Sequence, residues 1–219
     1  MNAPPARPSA IVFDWDNTLV DTWPTIHEAL SVTLREMGHK PWTFEETTAR
    51  VRHSLRDSFP RLFGDRWTEA RDIFYDAFER NHIERLAPIE GAVEMLRALA
   101  ATGVEMAVLS NKTGKYLRDE ADHLGWTGYF VALVGAGDAE RDKPAHQALE
   151  LALGSSTREP GPDIWIIGDA GIDMEAAHRT GCVPVLLHRD DHDSEEFTNW
   201  PPVHVFNSCN SVTELVARW

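Results

Sequence analysis

Residues 10–18 read AIVFDWDNT. Four apolar side chains in succession, Ala10 to Phe13, have the length of a short buried strand, and the run stops at Asp14. The same pattern recurs down the chain, with apolar runs at 104–109 (VEMAVL), 131–134 (VALV), 163–167 (DIWII), 183–187 (VPVLL) and 203–206 (VHVF). Helical patterns lie between them. Within 89–101, Ala92, Val93, Leu96, Leu99 and Ala100 share a face, and Gly103 stops the helix. Within 114–124, Leu117, Ala121 and Leu124 precede Gly125, and a helix over 172–180 ends before Gly181. The spacing of Ser211 and Glu214 predicts a capping box that opens the last helix. Short buried strands alternating with such helices predict an α/β fold, a parallel sheet with helices on both faces.

The first strand and the second are separated by about seventy residues, far more than a crossover needs. This stretch, 20–87, reads as helical throughout. Pro24 suits a first helical turn, and Ile26, Ala29, Leu30, Leu34 and Met37 form an apolar stripe closed by Gly38. Thr43 with Glu46 makes a capping box, and Ile73, Phe74, Ala77 and Phe78 give a long helix near 68–86 its buried face. The organisation expected is a loose, proline-rich tail over 1–9, a core made of 10–19 and 88–219, and an inserted helical unit over 20–87.

Composition narrows the function. Lys and Arg number 21 against 35 Asp and Glu, so the formal charge is 21 − 35 = −14. So acidic a chain is a poor partner for nucleic acid or for an anionic membrane surface. A phosphorylated substrate would need local positive charge, from a metal ion or a few placed basic residues. The two cysteines, Cys182 and Cys209, lack the spacing of a disulfide framework or zinc site and read as reduced, buried thiols. No apolar run approaches the length of a membrane span, and the N-terminus has no signal-peptide pattern, so a cytoplasmic location is expected.

Four polar clusters fall at strand ends or on the loops that follow: Asp14 to Thr18, Ser110 with Asn111, Lys143, and Gly168-Asp169 with Asp173. In a parallel sheet the carboxyl ends of the strands share one edge, where ligands bind, so these clusters would converge. Asp14 and Asp16, two apart, could project to the same side, and Asp169 and Asp173 would make four carboxylates in one place. Such a group calls for a hard divalent cation, and oxygen-only ligands favour magnesium. A carboxylate beside a phosphate is a candidate nucleophile, and a second could serve as acid and then base. Ser110 and Asn111 could donate to phosphoryl oxygens, and Lys143 could offset negative charge as it develops.

On these residues the chain resembles the phosphatase branch of the haloacid dehalogenase superfamily. DWDNT at 14–18, Ser110-Asn111, Asp142-Lys143-Pro144 and GDAGID at 168–173 match that family's ordered motifs across essentially the whole chain. The resemblance implies a Rossmann-like core and magnesium-dependent hydrolysis of a small phosphorylated metabolite through an aspartyl-phosphate. It also implies that 20–87 is an α-helical cap like that of phosphoglycolate phosphatase-like and β-phosphoglucomutase-like members. Asp14 would be nucleophile and metal ligand. Asp16 would be the acid/base, with its backbone carbonyl on the metal. Thr18 would support the loop, and Ser110 would bind the phosphoryl group. Lys143 would contact Asp14 and phosphate. Asp169 would bind the metal, with Asp173 a direct or indirect partner. A phosphosugar mutase would share all of these, and a non-catalytic phosphate-binding or signalling protein is a third reading, disfavoured by the intact Asp16.

Other residues carry less. Arg50, Arg52, His53 and Arg56 form a basic patch read either as a solvated, charge-paired face or as substrate recognition, with Arg52, His53 and Arg56 the candidates. Lys40, beside Gly38 and Pro41, reads as an exposed turn. Lys112 reads as a surface residue, Trp15 and Trp23 as packing, and the polar run His188–Asp193 as solvated surface.

Overall fold

The computed structural model describes residues 5–51, 53–154, 158–187 and 194–219. In chain order the elements are β1 (Ala10–Phe13), β2 (Val20–Asp21), α1 (Trp23–Glu36), α2 (Phe44–Arg50), α3 (Leu55–Phe63), α4 (Trp67–Glu79), β3 (Ala87–Pro88), α5 (Ala92–Thr102), β4 (Glu105–Thr113), α6 (Gly114–His123), β5 (Ala132–Ala136), α7 (His146–Leu153), β6 (Ile164–Gly168), α8 (Gly171–Thr180), β7 (Val183–Leu187), β8 (His204–Phe206) and α9 (Cys209–Val216). The chain divides into two compact units, Met1–Val20 with Pro88–Trp219, and Asp21–Ala87.

The first unit is built on a parallel sheet of strand order β5-β4-β1-β6-β7-β8. The opening apolar run is thus a central strand. It pairs with β4 and β6 in registers that end with Phe13 opposite Val108 and Ile167. Chain order reverses direction beside β1, and the ends of β4, β1 and β6 emerge side by side. Successive side chains of a strand point to opposite faces. Ala10 and Val12 pack with Leu149, Leu153, Ala176 and Ala177 from α7 and α8. Ile11 and Phe13, equally buried, face the other way, so both faces of the sheet are covered. Cys182 and Cys209 are free, buried thiols.

Several boundaries differ from expectation. The apolar pattern does not single out the helix α7, His146–Leu153. Ala148 and Ala152, with Leu149 and Leu153, give it a buried face at four-residue spacing. The last helix opens three residues early, where Ser208 rather than Ser211 is the N-cap and accepts from the Ser211 N–H at 3.3 Å. Full burial of Cys209 draws that extra turn into the helix. The tail is not loose from Pro5 onward: the Arg7 guanidinium donates to the Thr102 carbonyl, and the Ser9 N–H to the Asp163 carbonyl at 2.7 Å.

The second unit is α-helical, α1 to α4. Pro24 lies in the first turn of α1, and the Thr43–Glu46 capping box opens α2. Leu30, Leu34, Met37, Phe59, Phe63 and Ala70 form its core. The long helix stops at Glu79 rather than near 86. The N–H groups of Asn81 and His82 both turn back to the Phe78 carbonyl, which lets the His82 ring stack on Phe78.

Candidate active site

Immediately after β1 the chain makes a tight loop. Trp15 turns its carbonyl to the N–H groups of Leu19 at 2.9 Å and Val20 at 3.2 Å. Asn17 takes a left-handed φ of 61°, a conformation that asparagine tolerates better than most residues. The loop sets Asp14 and Asp16 on either side of the wholly buried Trp15.

Asp14 faces a cationic and anionic cluster. Lys143, 2 % exposed, lies 2.9 Å from Asp14 and 2.6 Å from Asp173. Burial pushes the Asp14 carboxyl up; Lys143 lowers it in part, and the charges of Asp173 and Asp16 raise it further, to about 6. Burial also opposes the Lys143 charge, but the two aspartates outweigh it and hold the ammonium above its ordinary value. Lys143 also donates to the Leu109 carbonyl at 3.3 Å.

Asp169 follows β6 directly, and Thr18 donates to it at 3.3 Å. Thr18 therefore ties its own loop to the β6 end. Asp173 stands in the first turn of α8, where one oxygen takes Lys143 and the other accepts from the Ala170 N–H at 3.1 Å. Asp173 is therefore both a helix cap and a counter-charge. Gly168 makes this possible: a Cβ there would lie 2.1 Å from the Asp173 carboxyl carbon. Carboxylate oxygens of Asp14, Asp169 and Asp173 lie within 4.8 Å of one another. Three crowded carboxylates, one of which takes up a proton well above its usual range, fit a hard divalent cation.

The four-carboxylate expectation needs correction. The Asp16 side chain is engaged elsewhere, 2.6 Å from the ammonium of Lys112. Lys112 is not a surface residue; its side chain is 4 % exposed and also donates to both oxygens of the fully buried Glu120, at 2.8 and 3.0 Å. Glu120 in turn accepts from the Trp15 indole N–H at 2.7 Å. The strand β4 runs on to Thr113 with a shift of register between Leu109 and Thr113, which carries Lys112 into the interior.

Ser110 is buried, and its hydroxyl accepts from the Lys112 N–H at 3.2 Å. Asn111 donates its side-chain amide to the Lys143 carbonyl at 3.1 Å, so it braces the Lys143 loop. In the helical unit, His53 and Arg56 are exposed. Arg50 pairs with Glu46 at 3.2 Å and lies over the Trp42 ring, so one member of the basic patch is charge-paired. Lys40 is exposed. Arg52 and His188–Asp193 lie outside the described residues.

The sequence matches the pattern of the haloacid dehalogenase-like hydrolases over residues 11–186. The chain belongs to that family. It is similar to the phosphoglycolate phosphatase of Aquifex aeolicus, 29 % identical over 80 % of this chain and 83 % of the relative, and to that of Rhodobacter capsulatus, 25 % identical over 96 % and 97 %. A haloacid dehalogenase-superfamily hydrolase from Ehrlichia chaffeensis superposes with a TM-score of 0.66 at 27 % identity, covering 97 % of each chain. A haloacid dehalogenase-like hydrolase from Bacteroides fragilis shares the fold with a TM-score of 0.85 at 19 % identity, over 94 % of this chain and 99 % of that one. The chain is accordingly an enzyme of the phosphatase kind within this family. Among the described residues, no helix is long and apolar enough to cross a membrane.

Proposed function

We propose that the enzyme hydrolyses a small phosphate monoester through a phosphoryl group carried on Asp14, with magnesium as cofactor. The observation that carries this reading is the meeting of Asp14, Asp169, Asp173 and Lys143 at the end of the central strand. Asp14 and Asp169, with the Asp16 backbone carbonyl, would hold the ion. Asp173, whose two oxygens already serve Lys143 and the Ala170 N–H, fits a supporting role. When bound, magnesium would neutralise charge on the phosphoryl oxygens.

A carboxylate oxygen of Asp14 forms a bond to phosphorus as the ester P–O bond breaks. The electron pair stays on the leaving oxygen, which takes a proton from Asp16. Asp16 then accepts a proton from water as the water oxygen attacks phosphorus. The bond to Asp14 breaks, and inorganic phosphate leaves. Lys143 offsets negative charge as it develops, and the Ser110 hydroxyl donates to a phosphoryl oxygen. The helical unit would supply substrate selectivity, with Arg52, His53 and Arg56 as the basic candidates. Because the relatives are phosphoglycolate phosphatases, 2-phosphoglycolate is the first ester to assay.

The test is release of inorganic phosphate, with magnesium present, by the native chain and by Asp14→Asn. The substitution is expected to cost on the order of 10⁴-fold or more in kcat while the protein stays folded. Retained turnover would remove Asp14 from the reaction. An isomeric sugar phosphate formed without phosphate release would favour the mutase alternative.

A further inference from the structure

Asp16 is held by a group that the proposed reaction has not used. Lys112 reaches Asp16 from β4, ninety-six residues along the chain, and its ammonium bonds one oxygen only, Oδ1, at 2.6 Å. The ammonium is fixed from its other side by both oxygens of Glu120, and Glu120 is anchored by the indole of Trp15, the residue between Asp14 and Asp16. The result is a closed ring of contacts: Asp16, Lys112, Glu120, Trp15 and back through the main chain to Asp16. The main chain of Lys112 also touches the Ser110 hydroxyl, so the same residue braces two groups of the site.

Stability alone gives this arrangement little reason to exist. Taking an ammonium and a carboxylate out of water costs several kcal/mol per ion, and a well-packed apolar pair of similar volume is often at least as stable. Glu120 is fully buried on a helix that could have carried an apolar residue there. What the ring does provide is a single orientation for a carboxylate that is still 18 % exposed and would otherwise rotate. Proton transfer to a leaving oxygen requires that orientation, since a misplacement of about 1 Å can cost on the order of 10²-fold in rate.

Resting on the reading of Asp16 as the general acid, we propose that Lys112, clamped by Glu120, is a positioning residue that fixes the Asp16 carboxyl by Oδ1 and leaves Oδ2 to pass the proton to the leaving oxygen. Glu120 and the Trp15 indole belong to the same device. Asp16 does its work through Oδ2, and Lys112 touches neither substrate nor phosphorus.

The test exploits the leaving group. An acyl phosphate such as acetyl phosphate departs without a proton, whereas an alkyl phosphate such as 2-phosphoglycolate needs one. The loss in kcat/KM on going from native protein to variant is compared for the two esters, which cancels differences in recognition. Asp16→Asn is expected to lose about 100-fold more on the alkyl ester than on the acyl one. Lys112→Met is expected to show the same bias at about tenfold. Combined with Asp16→Asn, it adds little further bias, because both changes remove one function. Equal losses on the two esters for Lys112→Met, or no loss, overturn the proposal while leaving the acid role of Asp16 intact. If Asp16→Asn itself shows no bias, it is the acid reading that fails. The double variant Lys112→Met/Glu120→Gln removes the ammonium with its second counter-charge and carries the same readout if the single variant does not fold. Failure of both to fold makes Lys112 a residue of folding only and also overturns the proposal.

Discussion

Two buried lysines stand on either side of the loop that follows β1, and each lies between two carboxylates. Lys143 bridges Asp14 and Asp173, and Lys112 bridges Asp16 and Glu120. The local chemistry is alike, but the surroundings are not. Around Lys143 a third carboxylate, Asp169, lies within reach of the other two, so negative charge is in excess; burial, with the charges of Asp173 and Asp16, pushes Asp14 up to about 6. Around Lys112 the carboxylates are held by defined donors, down to the Trp15 indole. The first cluster is incomplete without a further cation; the second is complete as it stands. One fold thus uses the same ion-pair device once to make a binding site and once to hold a geometry.

The sharpest way to break this comparison is to remove each lysine and add magnesium. Lys143→Met is expected to lower kcat/KM by on the order of 10²–10³-fold. It should also destabilise the metal-free protein by about 3 kcal/mol, since Asp14 and Asp173 are left facing each other. Saturating magnesium should return a large part of that loss, because a ligand that binds the folded state stabilises it. Denaturant titrations with magnesium and with chelator measure this. An equal magnesium response in Lys112→Met would erase the distinction between the two clusters.

A pH titration sharpens it further. The Asp14 carboxyl is raised from its usual 3.8 to about 6 in the folded, metal-free protein. A raised carboxyl contributes stability that is fully present below the unfolded value and is lost as pH rises through the folded one. Between pH 4 and pH 6.5 the chelated native protein should therefore lose on the order of 2 kcal/mol relative to Asp14→Asn. Magnesium affinity should strengthen over the same interval, as the ion competes with a proton for Asp14. A stability difference between the two proteins that stays flat across this range would show that the Asp14 carboxyl is not raised in the folded protein.

The smallest effect is on the Lys112 side. Trp15→Phe removes the indole N–H that Glu120 accepts, which should cost about 1–2 kcal/mol, equally with and without magnesium. Recovery of that loss on adding magnesium would mean that the two clusters are coupled rather than separate.

How far the sequence announced these clusters follows from the range of the forces involved. The strands were legible because burial on both faces leaves continuous apolar runs, and β7 was delimited as it is found, Val183–Leu187. The cluster around Lys143 was legible because its members sit at strand ends, where a parallel sheet brings distant residues to one edge. Lys112 was not. It lies in a polar stretch after an apolar run, which reads as a solvated loop. Nothing in that stretch tells that β4 continues to Thr113 and shifts register on the way. Glu120 is surrounded in sequence by Asp119 and Asp122, and its burial is decided by a tryptophan more than a hundred residues earlier. Boundaries failed for a related reason. The early start of α9 follows from the burial of Cys209, and the early end of α4 from the stacking of His82 on Phe78, both tertiary effects.

The placement of β1 carries a consequence for how the chain assembles. Ala10 pairs with Glu105 on one side and with Ile164 on the other, so the central strand is synthesised well before either of its neighbours. Contacts of such long sequence separation slow folding, because the intervening loop must be closed before they form. The helical unit, a continuous stretch over Asp21–Ala87, has no such wait and can be finished on the ribosome while Ala10–Phe13 still lacks both neighbours. During that interval an apolar four-residue segment with unpaired edges is exposed in the nascent chain, and it is the point at which premature release or slow elongation would leave the protein open to aggregation.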